Sequence, residues 1–154
     1  FQQPELIKQE ADRLKRICAE EGIKQSQWGG RMHYLRWEQP ITLRAWEDAG
    51  MSYDSTLGYA DRPGFRCGTC HEYPAFDPAA QEQLSLRIRP LVVMECTVID
   101  DRYMGLGVGD LAEDKFRILK SRCEKVKGTY TLLWHNSFFG INYIRSMYLN
   151  IVGS

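Results

Sequence analysis

Apolar residues recur along this chain at the spacing of α-helices in four segments, and three of these are followed closely by a glycine. The pattern predicts helices at Pro4–Glu21, stopped by Gly22, and at Pro40–Ala49, stopped by Gly50. It predicts two more at residues 110–126, ended by Gly128, and 141–152. In the first helix the apolar stripe consists of Leu6, Ala11, Leu14, Ile17 and Cys18. Four helices of this kind need partner surfaces that cover their apolar stripes.

Short apolar and β-branched runs lie between these helices and predict strands. The predicted strands are 23–28, 51–57, one or two within 84–99 around Pro90, and 129–134. Residues 31–37 and 58–78 are predicted to be loops, and a loop as long as the second is often functional. Helices that alternate with strands indicate an α/β fold with largely parallel strands. In such folds, polar residues that follow a strand, such as His135 and Asn136, lie at the sheet edge that carries active sites.

Composition limits the functions that the chain can have. A length of 154 residues predicts one α/β domain or part-domain spanning 1–154. The formal charge is zero, so no general attraction to nucleic acid is expected. No apolar run approaches the roughly 20 residues of a membrane span. The lack of a visible signal peptide favours a cytoplasmic protein.

The string Cys67-Gly-Thr-Cys70-His71 has the spacing of a c-type haem attachment site. The same cysteines could instead contribute to a zinc site or form a thiol redox pair. The Pro- and Gly-rich loop around them argues against haem, and the lack of a second C-x-x-C or an H-x-x-x-H argues against zinc. The simplest interpretation is that Cys67 and Cys70 shape a loop. Cys18, Cys96 and Cys123 occur singly in apolar segments and are predicted to be buried thiols.

Two groups of residues could carry polar chemistry. Arg31, His33 and Arg36 share one side if their segment is extended. That side is either a solvated basic edge or a surface for carboxylates and sugar hydroxyls. His135 is either a hydrogen-bonded histidine at a strand end or a proton-transfer group, since imidazole titrates near neutral pH.

Five segments, in this order and at this spacing, resemble the C-terminal part of a polysaccharide deacetylase of carbohydrate esterase family four. The segments are Gly30–Arg36, Ala49–Gly58, Phe65–Cys70, Pro90–Glu95 and Leu132–Asn136. The resemblance covers nearly the whole chain. It implies a distorted (β/α) barrel that removes acetyl groups from N-acetylated sugars or polysaccharides with a metal-activated water.

The resemblance also implies roles for individual residues. His135 matches the histidine of the family's Leu-x-His motif and would be the general acid that protonates the departing amine. Arg31 and Asp54 would support it as orienting residues. The residues expected to contact substrate are Trp134, which would wall the acetyl pocket, and His33, Tyr59 and Arg66.

The family's paired aspartates and its His-x-x-x-His motif are absent from this sequence. The resemblance therefore predicts that the divalent metal, with zinc the expected ion, is held by residues outside this chain, and that this chain alone holds none. The expected partners are the missing N-terminal segment or another copy of the chain. The alternative functions are a non-catalytic carbohydrate-binding or scaffold domain on the same fold, and a c-type haem protein.

Overall fold

The computed structural model describes residues 3–153 and shows a mixed α/β chain. Its helices are α1 (Pro4–Glu20), α2 (Ile41–Asp48), α3 (Glu95–Ile99), α4 (Asp110–Lys125) and α5 (Asn142–Gly153). Its strands are β1 (Gly29–Gly30), β2 (Tyr53–Asp54), β3 (Tyr73–Asp77), β4 (Glu82–Ile88), β5 (Val93–Met94) and β6 (Leu132–Leu133). The four predicted helices are confirmed to within one or two residues at each end.

The chain divides into two compact units. The first unit runs up to Leu57 and includes Glu72–Arg89, and the second comprises Gly58–His71 and the chain from Pro90 onward. The first unit contains a four-stranded sheet in the order β1-β2-β4-β3. The β1/β2 and β2/β4 pairs are parallel, and the β3/β4 pair is antiparallel. The prediction of a largely parallel α/β arrangement is therefore confirmed for this sheet.

The second unit is built on a two-stranded parallel sheet of β5 and β6. Its core combines side chains from β5, α3, α4 and α5, and the largest of them, Phe116, is completely buried. The apolar faces of α4 and α5 supply most of this core: Ala112, Phe116, Leu119 and Cys123 from α4, and Met147 and Ile151 from α5. Among the described residues the two sheets have four and two strands, and neither closes into a barrel.

The predicted strand at 23–28 is wrong, and the glycine pair expected to end it is itself β1. Gly29 lies so close to β2 that a Cβ atom on it would be 2.5 Å from the carbonyl oxygen of Tyr53. Only a glycine permits this approach, so the strand forms where the side chains are absent.

The segments 58–78 and 84–99 also differ from the prediction. The end of the predicted loop is strand β3, whose pairing with β4 is irregular between Pro74 and Phe76. The end of the predicted strand region is helix α3, which begins directly after β5. Both errors arise because short elements are fixed by pairing and packing rather than by their own propensities.

Residues 31–37 form a loop, as predicted, but the loop is not extended throughout. His33–Leu35 form a 3₁₀ turn in which Tyr34 and Leu35 have φ angles of 60° and 52°. The turn therefore interrupts the extended backbone on which the prediction of a common side for Arg31, His33 and Arg36 depended.

Helix α1 leaves much of its apolar stripe partly exposed. Ala11 is buried, whereas Leu6, Leu14 and Ile17 are 41–50% exposed. The stripe predicted from the sequence exists, but these three side chains are only partly covered within the chain. Within residues 3–153, no helix is both long and apolar enough to cross a membrane.

Candidate functional site

The carboxyl ends of β5 and β6 bring two polar residues together in the second unit. The strands are parallel, with Val93 opposite Leu132 and Met94 opposite Leu133. Glu95 follows β5 directly, and His135 follows β6 after one intervening residue. Parallel strands present their carboxyl ends at the same sheet edge, so residues 40 positions apart in the chain become neighbours.

Glu95 holds His135 through two contacts from one carboxylate oxygen. The backbone N–H of His135 donates to Oε1 of Glu95 at 3.0 Å, and Nδ1 of the imidazole contacts the same oxygen. The Glu95 side chain is fully buried, whereas that of His135 is 45% exposed. This geometry favours the tautomer with a proton on Nδ1, which directs Nε2 away from the carboxylate.

The second carboxylate oxygen of Glu95 has no such contact. Oε2 is buried and makes no hydrogen bond. A buried carboxylate oxygen without a partner is costly, because it has lost water and gained nothing in exchange. A bound ligand would give this oxygen the partner that it otherwise lacks.

Cys96 places a thiol beside this pair. The donor atoms of Glu95, Cys96 and His135 all lie within 4.8 Å of one another. Burial and the neighbouring Glu95 carboxylate raise the pKa of the Cys96 thiol to about 11, so at neutral pH the group is a thiol and not a thiolate. The prediction that Cys96 is a buried thiol holds only in part, because its side chain is half-buried.

Trp134 lies between β6 and His135 and packs inward. Its ring centroid is 5.9 Å from that of Phe116 and 5.3 Å from that of Tyr148, and its Nε1 is buried without a hydrogen-bond partner. These contacts anchor the chain immediately before His135 to the core, and therefore help to fix the imidazole position.

Tyr59 and Arg66, both predicted to contact substrate, are brought together in the second unit. The Arg66 guanidinium lies 5.9 Å from the centroid of the Tyr59 ring and donates to the carbonyl oxygen of Gly58 at 2.9 Å. Arg62 also lies over the ring, at 5.3 Å. Tyr59 is 39% exposed, so this cation–aromatic group is open to solvent.

In the first unit, Arg31 and Asp54 lie at the carboxyl ends of β1 and β2. Gly30 pairs with Asp54 across these parallel strands. Arg31 donates to the carbonyl and hydroxyl oxygens of Ser55, at 3.3 and 3.2 Å. Asp54 is fully buried, and its Oδ1 accepts from the backbone N–H and the hydroxyl of Thr56. The structure therefore brings these two predicted residues together within their unit.

The Asp54 carboxyl group differs from an ordinary aspartate. Burial raises its pKa from 3.8 to about 6, although the Thr56 hydrogen bonds and the Arg31 charge oppose the shift. Its Oδ2 is buried with no hydrogen-bond partner. A carboxyl group with a pKa near 6 can exchange a proton close to neutral pH.

Asp54→Asn is expected to stabilise the chain relative to wild type as the pH rises from 4 to 7. The folded-state pKa of Asp54 lies above its unfolded value, so the folded state binds the proton more tightly and loses this advantage as the pH rises through about 6. The difference in free energy of unfolding between the two proteins should shift by about 2 kcal/mol in favour of the variant over this pH range. Urea denaturation at several pH values measures it.

Asp77→Asn is the matched control, because the pKa of Asp77 is lowered, by hydrogen bonds from the backbone of Ala80 and from Arg44. The folded state of wild type therefore loses stability as the pH falls through the Asp77 pKa. The difference for this pair should change only below about pH 4, in the opposite sense. A pH-independent difference for Asp54→Asn would contradict the buried-carboxyl account.

His33, the remaining predicted substrate contact, is exposed in the first unit. Its ring stacks on that of Tyr34, with centroids 4.3 Å apart, in the 3₁₀ turn that follows β1. Both the ring contact and the turn are formed by neighbouring residues of this same segment.

Cys70 is part of the apolar core of the second unit. Its side chain is buried, and its thiol hydrogen-bonds with that of Cys123, whose pKa burial and this contact raise to about 12. A Cβ atom on Gly128 would lie 2.2 Å from the Cys70 sulfur, so Gly128 makes room for it. None of the five cysteines, all within the described residues, forms a disulfide. This packing favours the interpretation that Cys70 shapes the loop.

Neither Glu95 nor Cys96 was among the predicted functional residues, although the Pro90–Glu95 segment contributed to the family resemblance. The sequence signal that could have identified the site was the acidic residue Glu95 itself. Glu95 is the one charged residue in the run Leu91–Ile99, and a charged residue in such a run is buried only with a partner.

No protein-family model, curated protein or solved structure matches this chain.

Proposed function

We propose that this chain is the C-terminal part of a metal-dependent deacetylase, with a distorted (β/α) barrel in the complete protein. The reaction is hydrolysis of the acetamide of an N-acetylated sugar or polysaccharide. The observation that carries the proposal is the buried Glu95 carboxylate that holds Nδ1 of a half-exposed His135 at the carboxyl ends of two parallel strands. This arrangement suits the general-acid role that the motif resemblance implies for His135.

The chemistry of His135 follows from which nitrogen is engaged. With Nδ1 directed to Glu95, Nε2 is the nitrogen that can exchange a proton with a substrate. In the protonated imidazole, Nε2–H donates its proton to the sugar nitrogen as the carbon–nitrogen bond breaks, and the product leaves as an amine rather than an amide anion. Glu95 stabilises the imidazolium and fixes the ring orientation, as the carboxylate does in a Ser-His-Asp triad.

The catalytic metal of this proposal does not fit the residues of this chain. The one group of three clustered donors within residues 3–153 is Glu95, Cys96 and His135. His135 cannot donate the proton through a ring that the catalytic metal holds, so the metal that activates water belongs to residues outside this chain. Arg31 and Asp54 remain orienting residues in the proposal on the strength of the motif resemblance. The exposed stripe of α1 is a surface that the missing segment would cover.

Acetate release from an N-acetylated chito-oligosaccharide tests the proposal. We expect release by the complete protein with its metal, and none by the 154-residue chain alone, because a general acid without an activated water lacks the nucleophile. Acetate release by the isolated chain would show that the chemistry does not depend on the missing segment. A metal-loaded complete protein that releases none would contradict the deacetylase assignment itself.

A further inference from the structure

The strongest unassigned feature is the group of three different donor atoms at the carboxyl ends of β5 and β6. A carboxylate oxygen of Glu95, the sulfur of Cys96 and an imidazole nitrogen of His135 lie within 4.8 Å of one another. Glu95 and Cys96 are adjacent at the start of α3, and His135 is brought to them by the parallel pairing of β5 with β6. The group has no sequence spacing typical of metal sites, which is why it is invisible without the fold.

The buried oxygen of Glu95 is an independent observation that points to a ligand. Glu95 is fully buried, Oε1 is engaged by His135, and Oε2 has no hydrogen-bond partner. A cation bound among the three side chains would satisfy a carboxylate that its surroundings otherwise leave incompletely paired.

We propose that Glu95, Cys96 and His135 form a second, zinc-binding site, separate from the catalytic metal of the complete protein. One oxygen, one sulfur and one nitrogen ligand suit Zn²⁺, which accepts all three types and is commonly held by three protein ligands with a fourth position open. Mg²⁺ and Ca²⁺ prefer sites made entirely of oxygen and are not expected to bind here. Binding replaces the thiol proton of Cys96, which leaves to solvent, with a zinc–sulfur bond.

Zinc at this position would have one functional consequence, which rests on the deacetylase proposal. The imidazole of His135 would be held by the ion and could no longer deliver a proton to the departing amine. The site would therefore be inhibitory, and zinc above the catalytic requirement would slow the reaction. The binding itself does not depend on that proposal and is tested without any activity measurement.

The test is titration of the chain with Co²⁺, a zinc substitute whose bond to a thiolate produces a charge-transfer absorption band. We expect the band to appear with one Co²⁺ per chain, to be displaced by Zn²⁺ and to be unaffected by excess Mg²⁺. Cys96→Ser should abolish the band. It should also weaken zinc affinity at least about tenfold. Changing a group that only hydrogen-bonds to a metal ligand typically costs about 10–100-fold, and removing a ligand itself should cost no less than the lower figure.

Cys18→Ser is the matched control, because Cys18 is also half-buried but lies in α1, outside the donor group. It should leave the band unchanged. Circular dichroism tests whether Cys96→Ser is folded. If it is not, His135→Gln replaces it in the test, because His135 is half-exposed and its substitution disturbs the core less. That variant should weaken zinc affinity by the same factor. Absence of a thiolate band in wild type overturns the proposal. So does a band that persists in folded Cys96→Ser, which would indicate other cysteines such as Cys67 and Cys70. An unchanged zinc affinity in folded His135→Gln overturns it as well.

Discussion

His135→Ala in the complete protein is expected to lower kcat on an N-acetylated sugar by about 10²–10⁴-fold, with little change in KM. In the proposed reaction the proton reaches the departing nitrogen only as the carbon–nitrogen bond breaks, so ground-state binding would barely depend on the imidazole. Steady-state kinetics of acetate release measure both parameters. The loss is large because, without this proton, the leaving group would be an unstable amide anion instead of a neutral amine.

His71→Ala is the matched control for this variant, since His71 is also exposed and lies in the same unit. It should leave kcat unchanged. If His135 were only a structural residue, its replacement would instead lower the melting temperature and degrade both kinetic parameters. Wild-type kcat in His135→Ala would remove the main residue-level support for the deacetylase proposal.

Glu95→Gln is expected to lower kcat by about 10²–10⁴-fold, up to the loss that the corresponding carboxylate-to-amide change causes in a Ser-His-Asp triad. The amide has nearly the shape of the carboxylate but carries no charge to stabilise the imidazolium. Its NH₂ group also favours the wrong tautomer, because it donates to Nδ1 where the carboxylate accepts. Kinetics and the pH profile of kcat measure the change.

Glu95→Asp separates this positioning role from simple packing. It keeps the carboxylate and loses one methylene from a fully buried position, so it should retain more activity than Glu95→Gln despite a comparable or larger loss of stability. The opposite order, with Glu95→Gln active and Glu95→Asp inactive, would mean that the side chain acts through its volume and not its charge.

The long helices of this fold were predictable from the sequence, and so were the short strands β2, β5 and β6, which lie within predicted strands. The short elements β1, β3 and α3 were not. Helices α2, α4 and α5 follow their apolar periodicity and, for α2 and α4, the glycines that follow them. Strand β1 was misplaced because its two glycines carry no strand signal and pair only because β2 lies alongside. Helix α3 was read as strand because Thr97, Val98 and Ile99 are β-branched, and packing overrides that propensity.

The candidate site was predictable to about the same extent. The position of His135 after a strand was sufficient to place it at a sheet edge, and the family resemblance gave it a role. Its carboxylate contact, Glu95, was missed because nothing in the local spacing links residues 40 positions apart. Only the parallel pairing of β5 with β6 connects them. The adjacent thiol of Cys96 has no sequence signal at all, since its significance depends on the position of His135 in the folded chain.

The central claim is that His135 protonates a departing nitrogen, and the dependence of its effect on the leaving group tests that claim most directly. In the complete protein, kcat should be measured for wild type and His135→Ala on an N-acetylated sugar and on its O-acetylated counterpart. The account predicts a large loss on the amide and a much smaller one on the ester, whose alcohol leaves with less need for protonation. Equal losses on the two substrates, or none on the amide, would contradict it.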